Sequence, residues 1–115
     1  MDFNHANRVG GVAELMVAVK AAQSGWTPSI PAYPVDYDLI VERDGVCKRV
    51  QVKSVVINKN NPVVHVCKKN RAYADDAFDW IIAVDVDTGK MWRFEWKDVT
   101  QRRSLSLRKR EDAVW

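Results

Sequence analysis

Residues 38–54 read DLIVERDGVCKRVQVKS, and this segment predicts a β-hairpin around the turn Asp44-Gly45. Asp-Gly is a preferred sequence for two-residue turns between antiparallel strands. With that turn Arg43 pairs with Val46, so the numbers of paired residues add up to 89 along the whole hairpin. The two predicted strands run from Asp38 to Arg43 and from Val46 to Ser54.

This register brings three polar side chains to one face of the hairpin. Asp38 lies opposite Gln51, and Lys53 follows two positions later on the same side. Paired side chains stand about 5 Å apart and diagonal neighbours about 7–8 Å apart, so a long lysine side chain can reach the other two. The other face is apolar and must be buried, which supports the register because a shift by one residue would expose it. Its residues are Leu39, Val41, Val50 and Val52. The polar face is therefore expected to be uncovered or half covered.

The rest of the chain predicts one helix and several further strands. The helix spans Arg8 to Ser24, with apolar residues at helical spacing and Gly25 at the position of a C-terminal stop. The strongly apolar segment Phe78 to Val86 is typical of a central strand. Further strands are predicted at Val63–Cys67, Met91–Trp96 and Ser104–Leu107. A helical or irregular segment is predicted at Lys68–Ala77, and a short helix at Lys97–Arg103. This order predicts one domain, residues 1–115, of α/β or α+β class with a mixed β-sheet flanked by helices.

Composition narrows the class of protein. At 115 residues, 47% hydrophobic and 29% charged, the chain has an ordinary globular composition, and no apolar run is long enough to span a bilayer. Cys47 and Cys67 lack the spacing of metal ligands, so we expect reduced thiols in a cytoplasmic protein. These features argue against a membrane protein, a disulfide-stapled secreted domain and a zinc-finger-like site.

The net charge of +3 is unevenly distributed. Residues 36–44 carry an excess of acids, and residues 97–110 an excess of bases. An acidic pocket in a basic chain suits a protein that holds a cation next to a polyphosphate, although each cluster alone is also consistent with a solvated surface. The predicted phosphate contacts are Lys68, Lys69, Arg71, Arg102, Arg103, Arg108, Lys109 and Arg110.

Glu14 is the only charged residue between Gly10 and Val19 of the predicted helix, where a solvated face is the alternative to a functional role. The chain has, in order, a helix with Glu14, a strand that starts at Asp38, and a strand with Gln51-Val52-Lys53. This order resembles the PD-(D/E)XK nuclease superfamily, which includes restriction enzymes, archaeal Holliday-junction resolvases and intron-encoded homing endonucleases. Gln51 stands where an acid is usual. The homing branch also uses a Gln-x-Lys version, so the substitution predicts weaker metal binding rather than loss of activity.

The resemblance implies a restriction-endonuclease-like core and a metal-dependent DNA endonuclease. Glu14, Asp38, Gln51 and Lys53 would be catalytic, with Lys53 stabilising charge in the transition state. Mg²⁺, for which Mn²⁺ would substitute, would be held by Glu14, Asp38, the Gln51 amide oxygen and the Val52 carbonyl. The expected partner is branched or duplex DNA, cut by a homo-oligomer, with a dimer favoured, in the cytoplasm of a bacterial, archaeal or phage-infected cell. A Holliday-junction resolvase-like activity is the first expectation.

Several alternatives stay open from the sequence. Asp38 and Lys53 would form only a cross-strand ion pair in a purely structural hairpin, and Asp36 could replace Asp38 as the acid. The aromatic residues of the segment Met91–Trp96 could stack on bases, although alternating positions in a strand favour a core role. Ala113-Val114-Trp115 could belong to a subunit interface. A site-specific homing endonuclease, and a non-catalytic nucleic-acid-binding protein, are the alternative functions.

Overall fold

The structure is a computed structural model that describes residues 5–69 and 71–115. Its long helix, α1, spans His5–Gln23, close to the predicted range. The strands are β1 (Thr27–Ser29), β2 (Leu39–Arg43), β3 (Val46–Ser54), β4 (Val56–Asn58), β5 (Asn61–His65), β6 (Cys67–Lys68), β7 (Arg71–Ala72), β8 (Trp80–Val84), β9 (Met91–Glu95) and β10 (Ser104–Ser106). Short 3₁₀ turns occupy Trp96–Asp98 and Glu111–Ala113. None of the described helices is long and apolar enough to cross a membrane.

A five-stranded mixed sheet in the order β1-β2-β3-β8-β9 forms the centre of the fold. Only β3 and β8 run parallel; the other neighbours are antiparallel. The hairpin register is confirmed, since Leu39 pairs with Val50 and Arg43 with Val46. Asp44 and Gly45 have φ angles of 53° and 80°, which suit a two-residue turn with both central residues in the left-handed region.

Helix α1 covers the apolar face of the hairpin, as the pattern required. Ala13, Val17 and Ala21 are fully buried at one-turn spacing. They belong to one core cluster with the four apolar hairpin residues. Small residues on this side of the helix let its backbone approach the sheet closely. The helix is thereby fixed over β2 and β3, which determines where its Glu14 side chain can reach.

The opposite face of the sheet is covered in part. The expectation of a half-covered polar face is confirmed for Asp38 and Lys53, which are half-buried, whereas Gln51 is covered more completely. A three-stranded sheet in the order β10-β5-β4 lies there, with a second core cluster that includes Val64, Leu105 and Trp96. Gln51 is consequently only 8% exposed. Within the described residues α1 is the single long helix, so strands rather than further helices flank this side. The segment Lys68–Ala77 is not helical in its described residues: Lys68, Arg71 and Ala72 belong to the small β6-β7 hairpin, and residues 73–77 are irregular, which was one of the two expectations.

The aromatic residues of β9 and its end lie in this second core rather than on a base-stacking surface. Trp92, Phe94 and Trp96 are all buried. The C-terminus packs against the chain's own sheet: the Trp115 N–H donates to the Met91 carbonyl at 3.0 Å, and the ring of Trp115 lies 6.4 Å from that of Trp80.

Two glycine-to-alanine substitutions are expected to have opposite effects on stability. Gly45→Ala places a side chain at a φ of +80° and should lower the free energy of unfolding by about 1–2 kcal/mol. Gly10 lies inside α1, and a Cβ added there meets no atom within 4 Å, so Gly10→Ala should raise it by about 0.5–1 kcal/mol. Urea denaturation of both variants measures the two signs, and destabilisation by Gly10→Ala would contradict the packing described for α1.

Candidate active site

Asp38 is held at the point where the hairpin begins. It lies one residue before β2, and its backbone N–H donates to the Val50 carbonyl at 2.8 Å. Its carboxylate Oδ2 accepts a hydrogen bond from the Val52 N–H at 2.9 Å. Two bonds to β3 therefore fix both the backbone and the side chain of Asp38, and they leave the second carboxylate oxygen for another partner.

Gln51 and Asp38 line the same small cavity, of about 180 Å³. The Gln51 amide nitrogen donates to the Val52 carbonyl at 3.4 Å, which leaves its amide oxygen as the atom able to serve as a ligand. The remaining lining residues, Val35, Asp36, Lys68 and Tyr73, come from the loop before β2 and from the segment around β6 and β7. We call this space the Asp38 cavity. The hairpin register correctly predicted that Asp38 and Gln51 meet.

Glu14 reaches Asp38 from helix α1, and the two carboxyl groups interact by a hydrogen bond. Burial raises the pKa of Glu14 to about 7, and the negative charge of Asp38 and the hydrogen bond to it act in the same direction. Glu14 thus keeps its proton up to about neutral pH and can donate it in a hydrogen bond to Asp38. Paired carboxyl groups of this kind are typical of catalytic and metal-binding sites.

The Lys53 ammonium group lies to one side of this pair. Its Nζ donates to the Cys67 carbonyl at 3.2 Å and stands 5.3 Å from the centre of the Tyr73 ring. Lys53 itself does not line the Asp38 cavity, but Tyr73 does, so this ring is the neighbour that Lys53 and the cavity have in common. Tyr73 was missed by the sequence reasoning, since nothing in the pattern around β7 indicates which way this residue points.

Two alternatives from the sequence receive no support from the geometry. The ion pairs among the described residues do not include one between Asp38 and Lys53. Asp36 lines the cavity, but its carboxylate is paired with Lys68 at 3.2 Å. Of the two neighbouring acids, Asp38 is the one that contacts Glu14.

The donors around Asp38 are all oxygen atoms, which is the chemistry that Mg²⁺ and Mn²⁺ prefer. They comprise the carboxyl groups of Glu14 and Asp38, the Gln51 amide and the Val52 carbonyl. No group of three or more His, Cys, Asp or Glu side chains suited to a metal occurs in residues 5–69 and 71–115. Two carboxyl groups with an amide and a carbonyl oxygen fit a hard divalent cation that keeps several waters, and such binding would displace the proton on Glu14.

The predicted phosphate contacts fall into two groups. Arg102 is paired with Asp75, and Arg110 with Asp112; each guanidinium also lies over an aromatic ring. Lys68 is paired beside the cavity, and Arg108 donates to the Asn60 carbonyl at 3.3 Å. Four of the predicted contacts are exposed and have neither an ion pair nor a side-chain hydrogen bond among the described residues: Lys69, Arg71, Arg103 and Lys109.

Asp79, at the start of the apolar strand β8, has a structural role. Its carboxylate accepts from the Arg49 backbone N–H at 2.8 Å and forms an ion pair with the Arg49 side chain at 3.3 Å. Burial opposes ionisation, but the hydrogen bonds from Arg49 outweigh it and the pKa of Asp79 lies below its ordinary value. This pair ties β3 to β8 at the end of the sheet.

The raised pKa of Glu14 predicts how the free energy of unfolding depends on pH when no metal is bound. The pKa of Glu14 is about 7 in the folded protein against an ordinary 4.5, so between these values the folded state holds a proton that the unfolded chain has released. The free energy of unfolding therefore falls as pH rises through this interval. Glu14→Gln keeps a neutral hydrogen-bond donor beside Asp38. The variant should therefore not show the fall in the free energy of unfolding that Glu14 causes as pH rises.

Urea denaturation of wild-type and Glu14→Gln protein in chelator, from about pH 5 to about pH 8, measures the effect. The variant should gain stability relative to wild type as pH rises. Parallel pH profiles for the two proteins would contradict the Glu14–Asp38 contact.

Comparison with known proteins identifies the family. Residues 4–112 match the sequence model of the PD-(D/E)XK endonuclease family. Protein 5.3 of Escherichia phage T7 is 30% identical over 119 residues, which is 97% of this chain and 98% of that protein. The solved structure of a bacterial homing endonuclease, I-Ssp6803I, has a TM-score of 0.80 at 23% identity, and the match covers 90% of this chain and 78% of that one. This likeness confirms the restriction-endonuclease-like fold. Since the family match takes in α1 and the whole central sheet, the chain belongs to the PD-(D/E)XK endonuclease family.

Proposed function

We propose that this chain is a divalent-metal-dependent DNA endonuclease in which Glu14, Asp38, Gln51 and Lys53 carry out the reaction. The reaction class follows from membership in an endonuclease family. The observation that carries the assignment of residues is the Asp38 carboxylate, which interacts with both the Val52 N–H and Glu14. We treat residues 1–115 as a single nuclease unit, and the free thiols of Cys47 and Cys67 support a cytoplasmic location.

Mg²⁺ is the proposed cofactor, with Mn²⁺ as a substitute, and Glu14, Asp38, Gln51 and the Val52 carbonyl would hold it. When bound, such a cation offsets the charge that builds on the phosphate and positions the attacking water. The chain's own contribution is to fix the ligands beforehand. The Val52 N–H orients Asp38, the neighbouring Val52 carbonyl orients the Gln51 amide, and burial confines Glu14.

Lys53 supplies a positive charge next to this ligand set. Its ammonium lies between the Cys67 carbonyl and the Tyr73 ring. Both contacts are weak enough to exchange for a phosphate oxygen, since a flexible lysine keeps three donors. We therefore assign Lys53 to stabilisation of the transition-state charge.

The proposed substrate is branched DNA, cut by a homodimer in the manner of a Holliday-junction resolvase. A four-way junction offers two equivalent strands, which suits a two-fold assembly with two active sites. The exposed cations Lys69 and Arg71 lie near Lys68, which lines the Asp38 cavity, and would contact the backbone on either side of the cut. Site-specific cutting of duplex DNA is the second candidate, because the Gln51-x-Lys53 version of the motif resembles that of homing endonucleases.

Cleavage assays test the assignment of the acids. Labelled four-way-junction and matched linear duplex DNA are incubated with Mg²⁺, with Mn²⁺ or with chelator. Asp38→Asn and Lys53→Ala should each reduce the metal-dependent rate by about a hundredfold or more. Asp36→Asn is the matched control: it lies on the same cavity but pairs with Lys68, and it should keep most of the activity.

The DNA used distinguishes the candidate functions. Paired nicks in the junction alone support the resolvase-like activity, and cutting of a duplex site selected from a library supports the homing activity. If wild-type protein cuts neither DNA and shows no metal effect that depends on Asp38, the endonuclease proposal fails and a non-catalytic binding protein remains.

Basic residues without an ion pair are expected to contribute more to DNA binding than those already paired with an acid. Lys69→Ala and Arg71→Ala should each lower the slope of log affinity against log salt by about one, because each removes one phosphate contact. Arg110→Ala should change the slope little, since its guanidinium already donates to Asp112 at 3.0 and 3.1 Å. Fluorescence anisotropy of labelled DNA in chelator measures the three slopes. Equal slopes for all three variants would contradict this expectation.

A further inference from the structure

The outer face of α1 carries an unpartnered apolar stripe. Val12, Leu15 and Val19 follow one another at three and four residues, so they share one side of the helix. Leu15 is 65% exposed and Val19 56% exposed. With Met16 and Met91 they line an open groove of about 360 Å³, bounded at one end by Lys20 and Gln23. We call it the α1 groove.

The apolar surface continues beyond the N-terminal end of the groove. A second cavity of about 390 Å³ shares Val12 with it and extends to Val55, Val86 and the exposed Ile57. Its charged lining residues are Arg8, Asp85 and Asp87. The two cavities form one apolar surface from Val19 to Ile57. Contiguous exposed apolar surface of this kind marks a protein contact far more often than single exposed residues do.

The two ends of this surface differ in the sign of their charge. Lys20 is the cation of one end, and at the other end two acids, Asp85 and Asp87, outnumber Arg8. Lys20 bounds one end and Asp87 the other, and neither side chain belongs to an ion pair among the described residues. Asp85, beside Asp87, is already engaged, because its Oδ1 accepts from the backbone of Asp87 at 3.1 Å and of Thr88 at 3.4 Å. Lys20 lies eight residues after Val12, about 12 Å along the helix.

A second copy of this chain matches this arrangement. If two α1 helices pack antiparallel about a two-fold axis near Met16, Lys20 of each copy comes over Val12 and Asp87 of the other. A two-fold contact requires such self-complementarity, with every attractive pair formed twice. The apolar stripes then face each other, and both unpaired charges find partners.

We propose that the surface from Val19 to Ile57 is the interface of a two-fold homodimer, with Leu15 near its centre and a Lys20–Asp87 pair at each end. This inference rests on the proposed function in so far as that function calls for a homodimer. It places the contact on α1 rather than at the C-terminal residues. The lining of the Asp38 cavity shares no residue with this surface.

Sedimentation of the full chain in chelator and without DNA tests the interface. Wild-type protein should be a dimer, and Leu15→Glu should weaken association on the order of a hundredfold or more, because two carboxylates would meet at the axis. Ile30→Glu is the matched control: Ile30 is 76% exposed, lies outside the surface, and its substitution should leave the dimer intact. Circular dichroism and urea denaturation verify that both variants fold.

A charge exchange gives the decisive result. Lys20→Asp and Asp87→Lys should each weaken the homodimer by about tenfold, since both end pairs become repulsive. An equal mixture of the two variants should dimerise as wild type does, because both end pairs of the mixed dimer are attractive. No effect within a single chain can produce that rescue.

A wild-type monomer at every concentration, a dimer that persists in Leu15→Glu, or a mixture without rescue would each overturn the inference. Because the assay contains neither metal nor DNA, its outcome is separate from that of the cleavage assays. A dimer without nuclease activity refutes the proposed function alone, and an active protein without this dimer refutes the interface alone.

Discussion

The hydrogen bond from the Val52 N–H to the Asp38 carboxylate is the contact on which the site depends. This bond, 2.9 Å long, fixes the Asp38 side chain against β3, one residue before β2 begins. The same strand presents Gln51 to the cavity and Lys53 beyond it, so one strand organises three of the four proposed catalytic groups. The fourth, Glu14, arrives from α1, whose small buried residues bring the helix close to the sheet.

The hairpin and the position of Asp38 opposite Gln51 could be predicted from local sequence. An Asp-Gly turn and the alternation of apolar and polar residues fix the register without reference to the rest of the chain. The second layer could not be found in this way. It is formed by residues far apart in sequence, Val64 and Leu105 among them, and their strands are too short to show a clear period. For that reason the sequence predicts a half-covered polar face but does not show that Gln51 within it is buried.

The properties of individual residues also depend on contacts that form only in the folded chain. Glu14 was identified through its place in a family pattern, but its pKa of about 7 arises from burial and from Asp38, which only the assembled fold brings near. Among the basic residues, charge alone cannot show that Arg102 and Arg110 are engaged by Asp75 and Asp112. Family membership and the oxygen-rich donor set together favour a metal-dependent nuclease, whereas the kind of DNA it cuts follows from neither.

The most direct test of the central claim is calorimetric titration of Mn²⁺ at about pH 6 in buffers of different ionisation enthalpy. If Glu14 and Asp38 form the metal site, wild-type protein binds the ion with release of about one proton, Asp38→Asn loses binding, and Asp36→Asn retains it. Binding without proton release, or unchanged binding by Asp38→Asn, would contradict the account.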